Sequence, residues 1–94
     1  MSKKATKRIF IDNERTRVTK WNFKPGAETG WHRHEYDYVV VPMLDGQLRL
    51  ETETDQETIS RLKKGVSYFR EAGVEHNVIN INEFEFSFVE VEFK

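Results

Sequence analysis

The stretch Gly30-Trp31-His32-Arg33-His34-Glu35-Tyr36-Asp37-Tyr38-Val39-Val40-Val41-Pro42 decides how this chain is read. On a helix, His32 and His34 would point about 200° apart. On a strand they share one face, with Cα atoms about 6.6–7 Å apart. Residues 31–41 read as a strand. Strict alternation puts His32, His34, Tyr36, Tyr38 and Val40 on one face, and Trp31, Arg33, Glu35, Asp37, Val39 and Val41 on the other.

Outward from this stretch the period-two pattern continues. Upstream, residues 17–23 read as a strand with Trp21 and Phe23 on one face, ending in the turn-rich Lys24-Pro25-Gly26-Ala27-Glu28-Thr29-Gly30. Downstream, Asp45-Gly46 is a two-residue hairpin signal. Strands are expected over 47–53, 57–62, 66–70 and 74–80, with turns at Thr54-Asp55-Gln56, Lys63-Lys64-Gly65 and Glu71-Ala72-Gly73. After a turn at Asn80-Ile81-Asn82-Glu83, the last strand changes phase. Phe84, Phe86 and Phe88 alternate with Glu85 and Ser87, then Val89, Val91 and Phe93 alternate with Glu90 and Glu92. That predicts a β-bulge near Phe88-Val89, or a strand that moves between sheets at a barrel corner, with Glu83, Glu85, Glu90 and Glu92 on solvated faces. No segment has convincing helical periodicity. The expected class is all-β, a sandwich or barrel.

Composition narrows the function. A chain of 94 residues is read as one domain, 1–94, with residues 1–8 as a flexible tail carrying Lys3, Lys4, Lys7 and Arg8. Hydrophobic residues are only 37%, but seven are Phe, which bury much surface each. The net charge of −1, from 15 basic and 16 acidic residues, argues against a dedicated nucleic-acid binder and against a polybasic membrane surface. Cysteine is absent, which excludes disulfides and thiolate chemistry. No apolar run approaches the ~20 residues that span a bilayer, and no apolar segment follows the basic N-terminus. The expected location is the cytoplasm.

The chain has three histidines, and the third, His76, falls in the alternating set Val74, His76, Val78 and Asn80. A neighbouring strand facing the same cavity would deliver it to the ion that His32 and His34 reach. At this point the sequence resembles the cupins, whose two motifs are Gly, five residues, His-x-His, three or four residues, Glu, six residues, Gly, and then Gly, five residues, Pro-x-Gly, two residues, His, three residues, Asn. Gly26, His32, His34 and Gly46 match the first motif, and Gly65, Gly73, His76 and Asn80 match the second. Glu71 stands where the second motif has proline. The first motif's glutamate is missing, because the candidate positions hold Tyr38 and Val39. The stretches around His32, around Tyr38 and over Tyr68-Phe69-Arg70 and Ala72-Gly73-Val74-Glu75-His76-Asn77 look like the small cupins encoded with β-alanine degradation enzymes, the BauB-like group.

The resemblance implies a small double-stranded β-helix, the cupin or jelly-roll barrel. It also implies one divalent metal ion, Fe, Ni, Mn or Zn, on His32, His34 and His76. Without the glutamate, three neutral imidazoles leave the ion its full +2 charge, which favours an anionic oxygen ligand. A small carboxylate or a 1,3-dicarbonyl compound fits, with Tyr38 or Tyr36 as hydrogen-bond donor. Glu35 and Asp37 alternate away from the site, and Arg70 is a surface residue or a carboxylate anchor. The leading expectation is a metal-dependent enzyme of dioxygenase, isomerase or hydrolase type. A non-catalytic module binding a small anion, and a regulatory or structural partner of a catabolic enzyme, are the alternatives. Exposed edge strands and aromatic surface predict a homodimer.

Overall fold

The computed structural model describes residues 3–54 and 57–94. Two sheets face each other. One holds β1 (Lys3–Lys4), β4 (Ala27–Glu28), β10 (Glu75–Asn80), β7 (Gly46–Glu51) and β8 (Glu57–Leu62) in that spatial order, with β5 (His32–Arg33) also paired to β10. The other runs β2 (Thr6–Asp12), β3 (Thr16–Phe23), β11 (Phe86–Phe93), β6 (Asp37–Pro42) and β9 (Tyr68–Arg70). All pairings are antiparallel except β1 with β4. No helix long and apolar enough to cross a membrane occurs among the described residues.

The inner face of the second sheet is graded from apolar to polar. Register stacks Phe86 beside Phe23, then Phe88 between Trp21 and Pro42. The next rank is Glu90 between Thr19 and Val40, and the last is Glu92 between Arg17 and Tyr38. Phe23, Phe86 and Phe88 are buried with Leu48, Leu62 and Val78 from the opposite sheet. Each such side chain contributes about 1.5–3 kcal/mol of burial. One end of the barrel is therefore packed hydrocarbon, and the other carries the polar chemistry.

Several expectations are corrected. The bulge near Phe88-Val89 does not occur, because β11 stays in unbroken register with both neighbours from Phe88 to Phe93. Glu90 and Glu92 consequently point inward and are buried, not solvated. Val91 turns outward, where it continues an apolar rank across the outer face, Ile11-Val18-Val91-Val39-Phe69. The bulge of this sheet lies in β2, between Ile9 and Ile11. Residues 3–8 are not a free tail: Lys3 and Lys4 pair with β4, and Thr6, Lys7 and Arg8 pair with β3. Met1 and Ser2 lie outside the described residues, as do Asp55 and Gln56 of the expected turn.

Asp45-Gly46 does not close a hairpin, since β6 and β7 lie in different sheets. Instead Asp45 Oδ1 accepts a hydrogen bond from the Lys64 amide at 2.8 Å. Gly46 is required by space. A Cβ there would sit 2.7 Å from the Phe86 ring and 3.0 Å from Asn82 Nδ2. The Phe86 ring is 1% exposed and has no free volume to retreat into. Gly46→Ala should therefore destabilise the fold by about 1–3 kcal/mol through overpacking, read as a lower urea midpoint.

Candidate metal centre

His32 and His76 are directly opposed in the β5–β10 ladder. The ladder's geometry continues past β5, where the His34 amide donates to Val74 O at 2.9 Å and the Gly73 amide donates to His34 O at 2.8 Å. These bonds hold His34 beside the start of β10. Asn77 and Asn80 of the same strand fix the surroundings. Asn77 Oδ1 accepts from the Gly30 amide at 3.0 Å, which anchors the turn ahead of His32. Asn80 Nδ2 donates to the carbonyls of Phe23, Lys24 and Phe84, so this motif residue ties strands together and is no ligand.

The three Nε2 atoms converge. His34 Nε2 lies 3.1 Å from His32 Nε2 and 3.2 Å from His76 Nε2. At bonds of about 2.0–2.1 Å to a common ion, such separations correspond to angles of roughly 100°. The rings stand edge to face, with interplanar angles of 75°, 71° and 88°. The Nδ1 of His32 lies 2.9 Å from Gly30 O, which can only accept, so the proton sits on Nδ1 and the Nε2 lone pair is free. Tyr38 stacks on His34 with centroids 3.9 Å apart and a 17° tilt, locking that ring. Burial, together with the neighbouring imidazoles, lowers the pKa of His34 to about 4 and of His76 to about 3. Both are neutral at pH 7 with lone pairs available. Three convergent lone pairs that repel one another unless a cation or proton lies between them fit a divalent ion.

The cluster opens onto a cavity of about 200 Å³ between the sheets. Its walls are mostly apolar, with Trp21, Val40, Leu50 and Phe88 among them, and Tyr38, Tyr68 and Arg70 also line it. Burial raises the pKa of the Tyr38 hydroxyl, which stays protonated and able to donate at neutral pH. Arg70 is exposed at the rim, 4.6 Å over the Tyr68 ring, and donates to Phe69 O. Tyr36 does not line the cavity. It keeps to the less exposed side of the alternation, between exposed Glu35 and Asp37, and its ring lies 5.8 Å from the Arg17 guanidinium. Glu35 and Asp37 are exposed, and Asp37 Oδ1 accepts from the Ala72 amide at 2.8 Å.

Sequence reading misses the two carboxylates of β11. Glu92 sits opposite Tyr38, beside the position where the motif's glutamate is missing. Arg17 grips it with two bonds, 2.8 Å from Nε and 2.9 Å from Nη2. Glu90 lines the cavity and is 8% exposed. Burial, then the charge of Glu92, pushes its pKa up to about 7 against the pull of Arg17 and Lys7. The site is thus not three imidazoles alone. His34, Glu90 and Glu92 also offer ligand atoms within 4.8 Å of one another, but both oxygens of Glu92 are engaged by Arg17.

A two-sheet barrel with three convergent histidines at one end defines a cupin, and the chain belongs to the cupin domain family, which matches residues 19–92. It is 54% identical over 90 residues to the β-alanine degradation protein BauB of Pseudomonas aeruginosa, covering 96% of this chain and 94% of that protein. The crystal structure of a cupin domain from Bordetella pertussis Tohama I superposes with a TM-score of 0.96 at 56% identity, covering 100% of this chain and 97% of the other. A protein from Thermus thermophilus shares the fold at a TM-score of 0.72 and 24% identity, over 96% of this chain and 84% of that one.

Proposed function

We propose that this cupin is a metal-dependent enzyme acting on a small carboxylate or 1,3-dicarbonyl metabolite at His32, His34 and His76. The observation that carries this reading is the convergence of three imidazole Nε2 atoms beside an apolar cavity. Fe, Ni, Mn and Zn all suit the donor set, and a bound ion would act as a Lewis acid toward a carbonyl or carboxylate oxygen. Three protein ligands leave coordination positions open for a ligand. The Pseudomonas relative's name ties that protein to β-alanine degradation, which supports short carboxylates as the class to test. Elemental analysis followed by a substrate screen under air and under nitrogen tests the proposal. A protein that holds no metal at stoichiometric level, or that turns over none of these compounds when loaded, overturns it.

Tyr38 has two parts with separate roles. Its ring braces His34, and its hydroxyl is the neutral donor on the cavity wall. Tyr38→Phe keeps the stack and removes the donor. It should leave the metal in place and weaken binding of malonate or a 3-oxo acid by about 0.5–3 kcal/mol, measured by calorimetry. Loss of the metal in this variant would make Tyr38 a ligand.

The outer face of the β2-β3-β11-β6-β9 sheet supports a homodimer. Its apolar rank ends in Ile11 at 48% and Phe69 at 51% exposure. Arg8 and Lys20 flank the rank on one side and Asp37 on the other. A second copy related by a two-fold axis along the rank covers the apolar row. Light scattering at micromolar concentration should give twice the 11.2 kDa chain mass, and a mass near 11.2 kDa would contradict the dimer.

A further inference from the structure

We propose that Glu90 is the general base of this site, removing a proton from the carbon between the two carbonyls of a 1,3-dicarbonyl ligand. The proposal rests on the ligand class put forward above and names the residue that acts on it.

A carboxylate this deep is ordinarily paired or hydrogen-bonded, and Glu92, two residues on, shows how this chain does it. Glu90 is equally enclosed, at 8% exposure, yet takes part in no hydrogen bond or ion pair among the described residues. Its side chain lines the cavity onto which the three histidines open, beside Val40 and Phe88. Its neighbours in the rank, Thr19 and Val40, are uncharged; Arg17 and Lys7 act on it from elsewhere on the sheet, and neither forms an ion pair with it. Its carboxylate is therefore free to act on a molecule that enters the cavity. One of its oxygens lies within 4.8 Å of a His34 ring nitrogen, so a small molecule at the histidines is also within reach of the carboxylate.

The chemistry balances without an outside reagent. The C–H bond between the carbonyls breaks and its proton passes to a Glu90 oxygen. The electron pair moves into the adjacent carbonyl, giving the enolate, and the negative charge is transferred from carboxylate to ligand. Tyr38 can donate to the enolate oxygen, and poorly solvated carboxylates are stronger bases than solvated ones. Return of the proton to the same or another carbon gives exchange or isomerisation.

The test uses the zinc-loaded protein and pentane-2,4-dione as probe. Glu90→Gln keeps the shape and removes the base, and Glu90→Asp keeps the acid and moves it back. Metal content, calorimetric affinity, the ultraviolet band of bound enolate and deuterium exchange of the central methylene are read together. We expect unchanged metal content, affinity within a few-fold, loss of the enolate band, and exchange slowed about 10²–10⁴-fold in Glu90→Gln, with Glu90→Asp between. Exchange and enolate band equal to wild type in Glu90→Gln would overturn the base while leaving the proposed function standing. Loss of metal in Glu90→Gln would overturn it in favour of a ligand role. Failure of wild-type protein to bind the diketone or any 3-oxo acid would bring down both.

Discussion

His34→Ala is expected to abolish retention of a divalent ion after desalting and to lower its affinity by more than about a hundredfold. Substitutions behind a ligand, in the groups that only orient it, cost about 10–100-fold, so removal of a ligand exceeds that range. His34 is the member to remove because it is central. Its Nε2 stands at 3.1 and 3.2 Å from the other two, and it alone is stacked on Tyr38 and bonded through its backbone to both Gly73 and Val74. The backbone bonds survive the substitution, so folding should persist and the loss should be specific to metal. Titration with zinc or nickel followed by calorimetry measures the change. An alanine variant that binds within a few-fold of wild type would show that the three imidazoles pack against one another without serving an ion.

The fold and the imidazole cluster are legible in the sequence for physical reasons that differ from those that hide the rest. Strand β8 reads at its observed limits, and β3, β7 and β10 to within two residues, because turn residues bound them and alternation marks the runs between. The histidines are legible because their spacing is local on one side and motif-bound on the other. Glu90 and Glu92 are not, because polarity on a strand ordinarily means solvent. On β11 both faces carry demands. The inward face must be polar at the cavity end, and the outward face must be apolar where Val91 joins Val18 and Val39. The two needs invert the usual pattern over the last half of the strand and imitate a bulge. Tyr36 is misplaced for a different reason: alternation gives the side of the chain it lies on, between exposed Glu35 and Asp37, but not how far along that side the cavity extends, and its ring lies near Arg17 instead. The Arg17–Glu92 pair joins residues at opposite ends of the chain, and only the β3–β11 register brings them together.

That pair sets the second large effect. Arg17→Met should destabilise the metal-free protein by about 2–4 kcal/mol at pH 8 and by much less at pH 4–5. The Glu92 side chain is 7% exposed and that of Arg17 is 33% exposed. Breaking a buried pair from one side costs about 3–5 kcal/mol, and the partial exposure of Arg17 argues for the lower part of that range. The pH dependence follows from what surrounds the stranded carboxylate. Glu90 lies on the same strand, Tyr38 faces it from β6, and His34 offers a ring nitrogen within 4.8 Å of it. Glu90 already has a folded-state value of about 7, above the ordinary 4.5. Between those two values the folded protein holds more protons than the unfolded one, so stability falls as pH rises through that window and is not reduced below it. By linkage this single group costs about 3 kcal/mol once pH exceeds its folded value. Arg17 is one of the two cations that pull the Glu90 value down, so its removal raises that value further and widens the window. The difference between variant and wild type should therefore open as pH rises from 5 to 8, read from urea midpoints at each pH. In the double variant Arg17→Met with Glu92→Gln, no buried charge is left unpaired at that position, and most of the pH-8 loss should return. A cost that is equal at pH 5 and pH 8, or that persists in the double variant, would place the contribution of Arg17 in its contact with Tyr36 and not in the charge of Glu92.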